Sequence, residues 1–321
     1  MVSYGNFHST DNQLSFGDHN ERTAFYGSVD ADRSDLGLTT PTAALIHDQT
    51  SGEGGFLSLL YNASPRHQLR WIGSVRNDRY AIPNDADAQA QGIRDLDLEK
   101  DAVLGFLWVD TASYGLIFTL SPYYHLADAH YVAGPGDTPS ILNEDSRAHY
   151  LGGRAMLQAC EKNHSARMGV EVWAQRSNTA FRLRANPPDP GLSGIDQQET
   201  HRAQNESLFA EDEYQPASWL TLDGGVRLVH YGGLVHEDAF SPRLGAGLRV
   251  PRFGWTLHGY YAYYYQPPPL GKNFGERWSL SLNSTNVLNS RFLLDTSNTF
   301  GGSHALNPRQ IYLEARYRFH Y

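Results

Sequence analysis

The chain has 321 residues, a formal net charge of −9 at pH 7 and a hydrophobic content of 40%. This acidic balance, without a basic stripe, argues against a nucleic-acid-binding protein. No run of about 18 apolar residues occurs, which excludes a transmembrane helix.

A polar average composition is still compatible with a membrane protein made of strands. Lipid-facing apolar residues alternate with lumen-facing polar residues in a transmembrane β-barrel, so the mean hydropathy cancels. The 30 glycines and an aromatic content of 12% suit an all-β protein with many turns. Cys160 is the single cysteine, so we expect no internal disulfide. Residues 1–5 lack a secretory signal, which predicts a processed or truncated piece, or a cytoplasmic chain.

Apolar and polar residues alternate with a period of two along the chain, as in strands with two different faces. At 220–228 the even positions are apolar or glycine, and 241–250 repeats the pattern. We predict about 14 antiparallel strands and a stub of one more at residues 1–5. The predicted strands lie at 8–17, 21–31, 54–64, 67–77, 100–110, 113–126, 147–160, 165–178, 202–215, 218–231, 241–250, 254–266, 275–288 and 308–320.

Short and long connections alternate between these predicted strands. Tight periplasmic turns that alternate with long outer loops are typical of outer-membrane barrels, whereas a soluble β-sandwich has no reason to alternate so regularly. The short connections include Ser64–His67, Thr111–Ser113 and Glu161–His164, and the long ones are 32–53, 78–99, 127–146 and 179–201. Four tryptophans near the short turns predict an aromatic girdle at that end. They are Trp71, Trp108, Trp219 and Trp255.

Two parts of the chain carry a family resemblance. Phe240–Arg252, followed by Trp255 and Tyr265–Pro269, resembles the mid-barrel of TonB-dependent outer-membrane receptors. Residues 283–289 and 307–319 resemble the last two strands of the same family. The aromatic-ending last strand is also similar to the signal that barrel-assembly machinery recognises. The resemblance implies an all-β, antiparallel transmembrane β-barrel of about 22 strands in the bacterial outer membrane.

The function that the resemblance implies is active uptake of a scarce nutrient, of the siderophore, cobalamin or glycan class. In the family an energy complex containing TonB acts on a plug domain, so that complex is an expected partner only if a plug is supplied. The other expected partners are outer-membrane lipid, the barrel-assembly machinery and a small nutrient ligand. Two alternatives stay open, a passive porin-like channel and a surface-binding barrel without transport.

Chemistry-bearing motifs are sparse in this sequence. No nucleophile elbow, HExxH motif or phosphate-binding loop occurs, so we predict neither an enzyme nor a cofactor. Arginines at lumen-facing positions are candidates for attracting an anionic ligand, with pairing to lumen acids as the simpler alternative. These candidates are Arg227, Arg243, Arg249, Arg316 and Arg318. Weaker candidates for metal binding are Asp95/Asp97/Glu99, Glu211/Asp212/Glu213, His125/His130 and His230/His236.

A junction near Leu270 is inconsistent with an uninterrupted barrel. Counted from the long loops, strands 254–266 and 275–288 both run outward, and residues 267–274 alone join them. A segment of that length spans at most about 26–29 Å, which barely equals the apolar height of a barrel. We therefore predict two parts of one barrel, residues 1–270 and 271–321, with about seven strands absent between them.

Overall fold

The computed structural model describes residues 1–36, 46–112, 115–138, 140–188, 194–253 and 255–267, and beyond them the backbone of four strands. The chain divides into two compact units, Met1–Leu270 and Gly271–Tyr321. Residues 268–277 at their junction lie outside the described residues. The absence of strands at this point therefore stays a prediction.

The first unit contains one antiparallel sheet of 13 strands, in which each strand pairs with its neighbours in sequence. The strands are β1 (Val2–Tyr4), β2 (Thr10–His19), β3 (Thr23–Ser34), β4 (Thr50–Asn62), β5 (His67–Ala81), β6 (Leu96–Thr111), β7 (Leu116–Val132), β8 (Ser140–Glu161), β9 (His164–Ala185), β10 (Ile195–Ala217), β11 (Leu220–Gly232), β12 (His236–Val250) and β13 (Trp255–Ala262). No helix in the described part of the chain is long and apolar enough to cross a membrane.

The second unit contains two antiparallel strand pairs. Strand β14 (Trp278–Thr285) pairs with β17 (Gln310–Tyr317), and β15 (Leu293–Asp295) pairs with β16 (His304–Ala305). Strands β14 and β17 match the last two predicted strands, and the main sheet contains the other predicted strands and the stub. The predicted all-β antiparallel fold is therefore confirmed.

Several strands are longer than predicted. Strands β8 and β9 have 22 residues each and β10 has 23. The extensions of β8 and β10 are mostly polar on both faces, which weakens the period-2 signal that marks a strand in sequence, whereas the extension of β9 keeps that signal, with Phe181 and Leu183 alternating with arginines. The connections between these three strands are shorter in consequence. Strand β12 also begins before the predicted residue 241, so the connection from β11 to β12 is a tight turn, in which Gly233 N donates to Val235 O at 3.0 Å.

A short helix, α1 (Ala86–Gln91), lies in the connection from β5 to β6, where the sequence pattern predicts only a loop. The side chain of Asp85 accepts a hydrogen bond from Ala88 N at 2.8 Å and caps the first turn. Gly92 ends the helix with a φ of 85°, a left-handed conformation that favours glycine. In the sequence, Asp85 before this segment and Gly92 after it are the two residues that indicate the ends of a helix.

Strand register collects the apolar residues on one face of the sheet. Ala155, Val170, Leu208 and Leu228 are successive cross-strand partners from β8 to β11, and Phe240 of β12 follows them. We call this the apolar face. Leu208 is 59% exposed on it, so these residues do not form a soluble core. The predicted outward leucines and valines of β11 and β12 lie on this face, and an exposed apolar surface of this extent indicates contact with lipid or a partner.

The tryptophans predicted to form a girdle lie at the short-connection ends of their strands. Trp71 packs against Phe106 with ring centroids 5.4 Å apart, and Trp108 packs against Phe118 at 5.5 Å. Trp219 occupies the turn between β10 and β11, and Trp255 begins β13. Aromatic side chains therefore cluster at the end predicted from sequence.

Candidate functional site

The opposite side of the sheet, which we call the polar face, carries a cluster of ionised groups centred on Arg76. From β5 its guanidinium crosses β4 to reach β3. Arg76 Nη1 lies 2.7 Å from Asp30 Oδ2, and Nη2 lies 2.6 Å from Asp32 Oδ1. On its own strand, Nη2 lies 2.9 Å from Asp78 Oδ1. One positive charge thus faces three carboxylates.

Glycines in β4 make this crossing possible. In register, Gly54 lies between Asp30 of β3 and Arg76 of β5. The neighbouring Gly52 is buried, and a Cβ at that position would collide with the guanidinium of Arg76 and the carboxylate of Asp78. The absence of side chains along this part of β4 therefore lets the arginine reach two strands across.

The polar face is also acidic on the next strand, β6. Asp97 and Glu99 of β6 are the cross-strand partners of Tyr80 and Asp78. The polar face of β3, β5 and β6 therefore carries the five carboxylates of Asp30, Asp32, Asp78, Asp97 and Glu99.

A second ionic cluster lies on the polar face of β9 to β12. Glu211 forms ion pairs with both Arg167 and Arg243, and Gly225 is the cross-strand partner of both Glu211 and Arg243. Gly225 has no side chain to separate the two, so they meet across β11. A cavity of about 250 Å³ lies beside them and is also lined by Tyr260.

Arg227 lies on the same face, two residues along β11 from Gly225. Its Nη2 donates to Ser207 Oγ at 2.8 Å and lies 3.3 Å from Glu171 Oε2. Of the predicted arginine candidates, the structure thus brings Arg227 and Arg243 together on one face, each beside a carboxylate. Arg249 is exposed at the end of β12, opposite Thr256.

Two further arginine candidates lie in the second unit. Arg316 is the cross-strand partner of Ser279, and its side chain is outside the described residues, as is all of Arg318. The ligand-binding role of the five arginines therefore stays a prediction.

The connections at the end opposite the short turns form a packed surface, which we call the loop platform. Asp95 Oδ1 accepts from Gly134 N at 2.7 Å, and Asp95 Oδ2 accepts from the hydroxyl of Tyr131 at 2.7 Å. Asn186 Nδ2 donates to the carbonyl of Asp137 at 2.8 Å, which adds the segment after β9. Burial, and then the nearby Asp95, raise the pKa of the Asp137 carboxyl. Asp95, predicted as a weak calcium candidate, instead holds two loops together.

Two of the histidines singled out in the sequence, His125 and His230, each pair with a single carboxylate. His125 Nε2 lies 2.5 Å from Asp101 Oδ2, and His230 Nδ1 lies 2.7 Å from Asp238 Oδ1. Among the described residues no group of three His, Cys, Asp or Glu side chains is placed to hold a metal ion.

His130 belongs to an ionic cluster beyond the apolar part of β7 and β8. Its Nδ1 lies 2.7 Å from Asp145 Oδ1, and its Nε2 lies 3.2 Å from Asp128 Oδ1. Arg147 and Arg182 complete the cluster through Asp128 at 2.7 Å and Asp145 at 3.1 Å. The hydrogen bond to Asp145 is the main cause of a raised pKa for His130.

We expect this cluster to lose stability as pH rises. Because the pKa of His130 is higher in the folded protein, its stabilising effect is complete below its ordinary value of about 6.5 and disappears above the folded value. Amide exchange of the outer halves of β7 and β8 should therefore be faster at pH 9 than at pH 6, after correction for intrinsic exchange. His130→Gln should abolish the difference, and an equal difference in the variant would exclude His130 as its cause.

Long antiparallel strands with one apolar and one polar face, joined by tight turns at one end, define the class of outer-membrane-type β-barrel proteins. The chain belongs to the TonB-dependent receptor family, because the family profile described as "TonB dependent receptor-like, beta-barrel" matches residues 3–310. The resemblance noted in the sequence is confirmed. A search of curated proteins finds no match.

Solved structures of the same fold include several receptors. The copper transporter OprC superposes with a TM-score of 0.65 at 14% identity, over 80% of this chain and 43% of that one. The ferric-catecholate import receptor Fiu from E. coli K12 superposes with a TM-score of 0.62 at 13% identity, over 88% of this chain and 55% of that one. For the ferric yersiniabactin uptake receptor FyuA from Yersinia pestis the TM-score is 0.57 at 11% identity, over 98% of this chain and 50% of that one. This chain thus spans about half the length of these relatives.

Proposed function

We propose that the chain is an incomplete barrel of an outer-membrane receptor for active uptake of a scarce nutrient. The observation that carries the proposal is the division of one sheet into an apolar face and a charged polar face, within a chain of the TonB-dependent receptor family. In this proposal the apolar face contacts outer-membrane lipid and the polar face lines the lumen. The loop platform then lies at the cell surface.

The proposed nutrient belongs to the siderophore, cobalamin or glycan class. The names of three structural neighbours, a copper transporter, a ferric-catecholate import receptor and a ferric yersiniabactin uptake receptor, favour a metal or its chelate within that range. Arg227 and Arg243 are the proposed contacts for an anionic chelate. Both already have carboxylate partners, so such a ligand would have to compete with Glu171 and Glu211.

The proposed partners follow from the same assignment. The barrel-assembly machinery would recognise the last strand, and a TonB energy complex would act through a plug domain. A passive porin-like channel is the alternative function, and its transport would need no energy source.

Energy dependence separates the two functions. We would measure accumulation of ⁵⁵Fe-labelled ferric chelates and labelled cobalamin in cells with the gene, cells without it, and complemented cells. A receptor predicts gene-dependent accumulation that a protonophore abolishes. Accumulation that persists with the protonophore would contradict active uptake and support the channel. Accumulation independent of the gene would contradict both transport functions for these nutrients.

A further inference from the structure

Three basic side chains form a row across β8, β9 and β10 on the apolar side of the sheet. His149 is the cross-strand partner of Arg176, and Arg176 is the partner of Arg202. The next row towards the short turns contains Leu151, Ala174 and the polar Gln204, so the basic row lies where the apolar face of β8 and β9 ends. Like charges directly opposite each other destabilise a strand pair. The row is therefore unfavourable unless an anion neutralises it.

No anion within the described part of the chain does so. Arg176 and Arg202 are both exposed residues, and neither forms an ion pair or a side-chain hydrogen bond with a described residue. Arg147 and Arg182, on β8 and β9, show the contrast, because each lies within 3.1 Å of an aspartate oxygen. Two facing arginines without a carboxylate point to an anion from outside the chain.

A hollow of about 520 Å³ joins the basic row to the apolar face. Its lining includes the three basic residues and, on the side nearer the short turns, Tyr124 and Leu151. The hydroxyl of Tyr124 lies 2.7 Å from His149 Nδ1, which holds the imidazole in place and leaves Nε2 for a ligand. The hollow therefore offers basic groups at one end and an apolar surface at the other.

We propose that the row His149–Arg176–Arg202 binds the phosphate headgroup of an outer-leaflet lipid, with its acyl chains along the apolar face. A guanidinium is a planar fork that matches phosphate oxygens, and two of them face the same space. Ala174, Val172 and Val170 continue the apolar surface along β9 from Arg176. On β10 the partner of Val172 is Glu206, so an acyl chain would follow the β8–β9 side of this surface. Free phosphate would gain nothing from that surface. The inference rests on the proposed membrane location, although it requires no transport.

The test is lipid binding by the purified full chain in non-ionic detergent micelles, with dioleoyl phosphatidic acid as the probe and native mass spectrometry as the readout. The double variant Arg176→Gln/Arg202→Gln should bind this lipid at least about tenfold more weakly than wild type. Arg79→Gln is the matched control, because Arg79 is exposed on the same face and its cross-strand partners, Ser51 and Leu98, are uncharged. The control should bind like wild type.

Thermal unfolding separates binding from a merely structural role. Without the lipid, the double variant should unfold at the same temperature as wild type or higher, because the arginine repulsion is gone. With phosphatidic acid the wild type should gain stability and the double variant should not, while phosphatidylcholine and inorganic phosphate should change neither. Equal binding by the double variant, or a shift with inorganic phosphate as large as with the lipid, would overturn the proposal. A negative uptake experiment would leave this result unaffected.

Discussion

Leu244→Arg is expected to destabilise the membrane-inserted protein by about 2–4 kcal/mol, the cost of an arginine at the lipid midplane of a barrel. Leu244 is 63% exposed on the apolar face of β12 and lies midway between Phe240 and Leu248. Its cross-strand partners, Gly224 and Tyr261, offer no anion. The measurement is reversible urea unfolding in lipid vesicles, followed by tryptophan fluorescence.

The matched control is Thr221→Arg, on the adjacent strand β11 but on the polar face. Thr221 faces Gly247 across the strand pair, so a longer side chain has space and meets water. We expect a change within about 1 kcal/mol for this variant. Equal destabilisation by the two substitutions would show that the apolar face does not contact lipid.

Removal of the Arg76 guanidinium is expected to have the second largest effect. Arg76→Ala leaves the carboxylates of Asp30, Asp32 and Asp78 facing one another without a cation. The Arg76 side chain is 42% exposed, so solvent screening limits the loss to about 1–2 kcal/mol. Three carboxylates around a vacated position are also suitable ligands for Ca²⁺. We therefore expect millimolar Ca²⁺ to restore much of the stability of the variant.

The measurement is the unfolding temperature with EDTA and with Ca²⁺. Arg33→Ala is the control, because Arg33 is exposed and its one ion pair among the described residues, with Asp35, is 3.5 Å long. It should change the unfolding temperature little and show no response to Ca²⁺. If Arg76→Ala also showed no loss with EDTA, the cluster would contribute nothing to stability.

The sequence predicted the strands well where only one face is apolar. At 220–228 and 241–250 the alternation is strong because one face is apolar and the other carries charge or glycine. It failed at the outer extensions of β8 and β10, because both faces are mostly polar there and the period weakens, and the extension of β9 was missed although Phe181 and Leu183 alternate with Arg182 and Arg184. Helix α1 is too short to show a helical period, so its two capping residues were the remaining signal.

The charged clusters were harder to predict because they depend on register. Arg76 is 46 residues from Asp30 in sequence, and the two meet only because β4 carries glycines between them. Arg176 and Arg202 likewise become neighbours only when β9 and β10 are aligned. For Arg227 and Arg243 the sequence left open a ligand site or pairing with acids, and both have carboxylate partners.

In the proposed arrangement the sheet crosses the outer membrane with the loop platform at the cell surface. Cysteine labelling on intact cells distinguishes the two ends of the strands, in a Cys160→Ser background because Cys160 is exposed. Ala90→Cys lies in the loop platform and Asn163→Cys in the tight turn between β8 and β9. A membrane-impermeant maleimide should label Ala90→Cys on intact cells, and Asn163→Cys only after the outer membrane is permeabilised. Labelling of Asn163→Cys on intact cells, or of neither cysteine until the cells are broken, would rule out this orientation in the outer membrane.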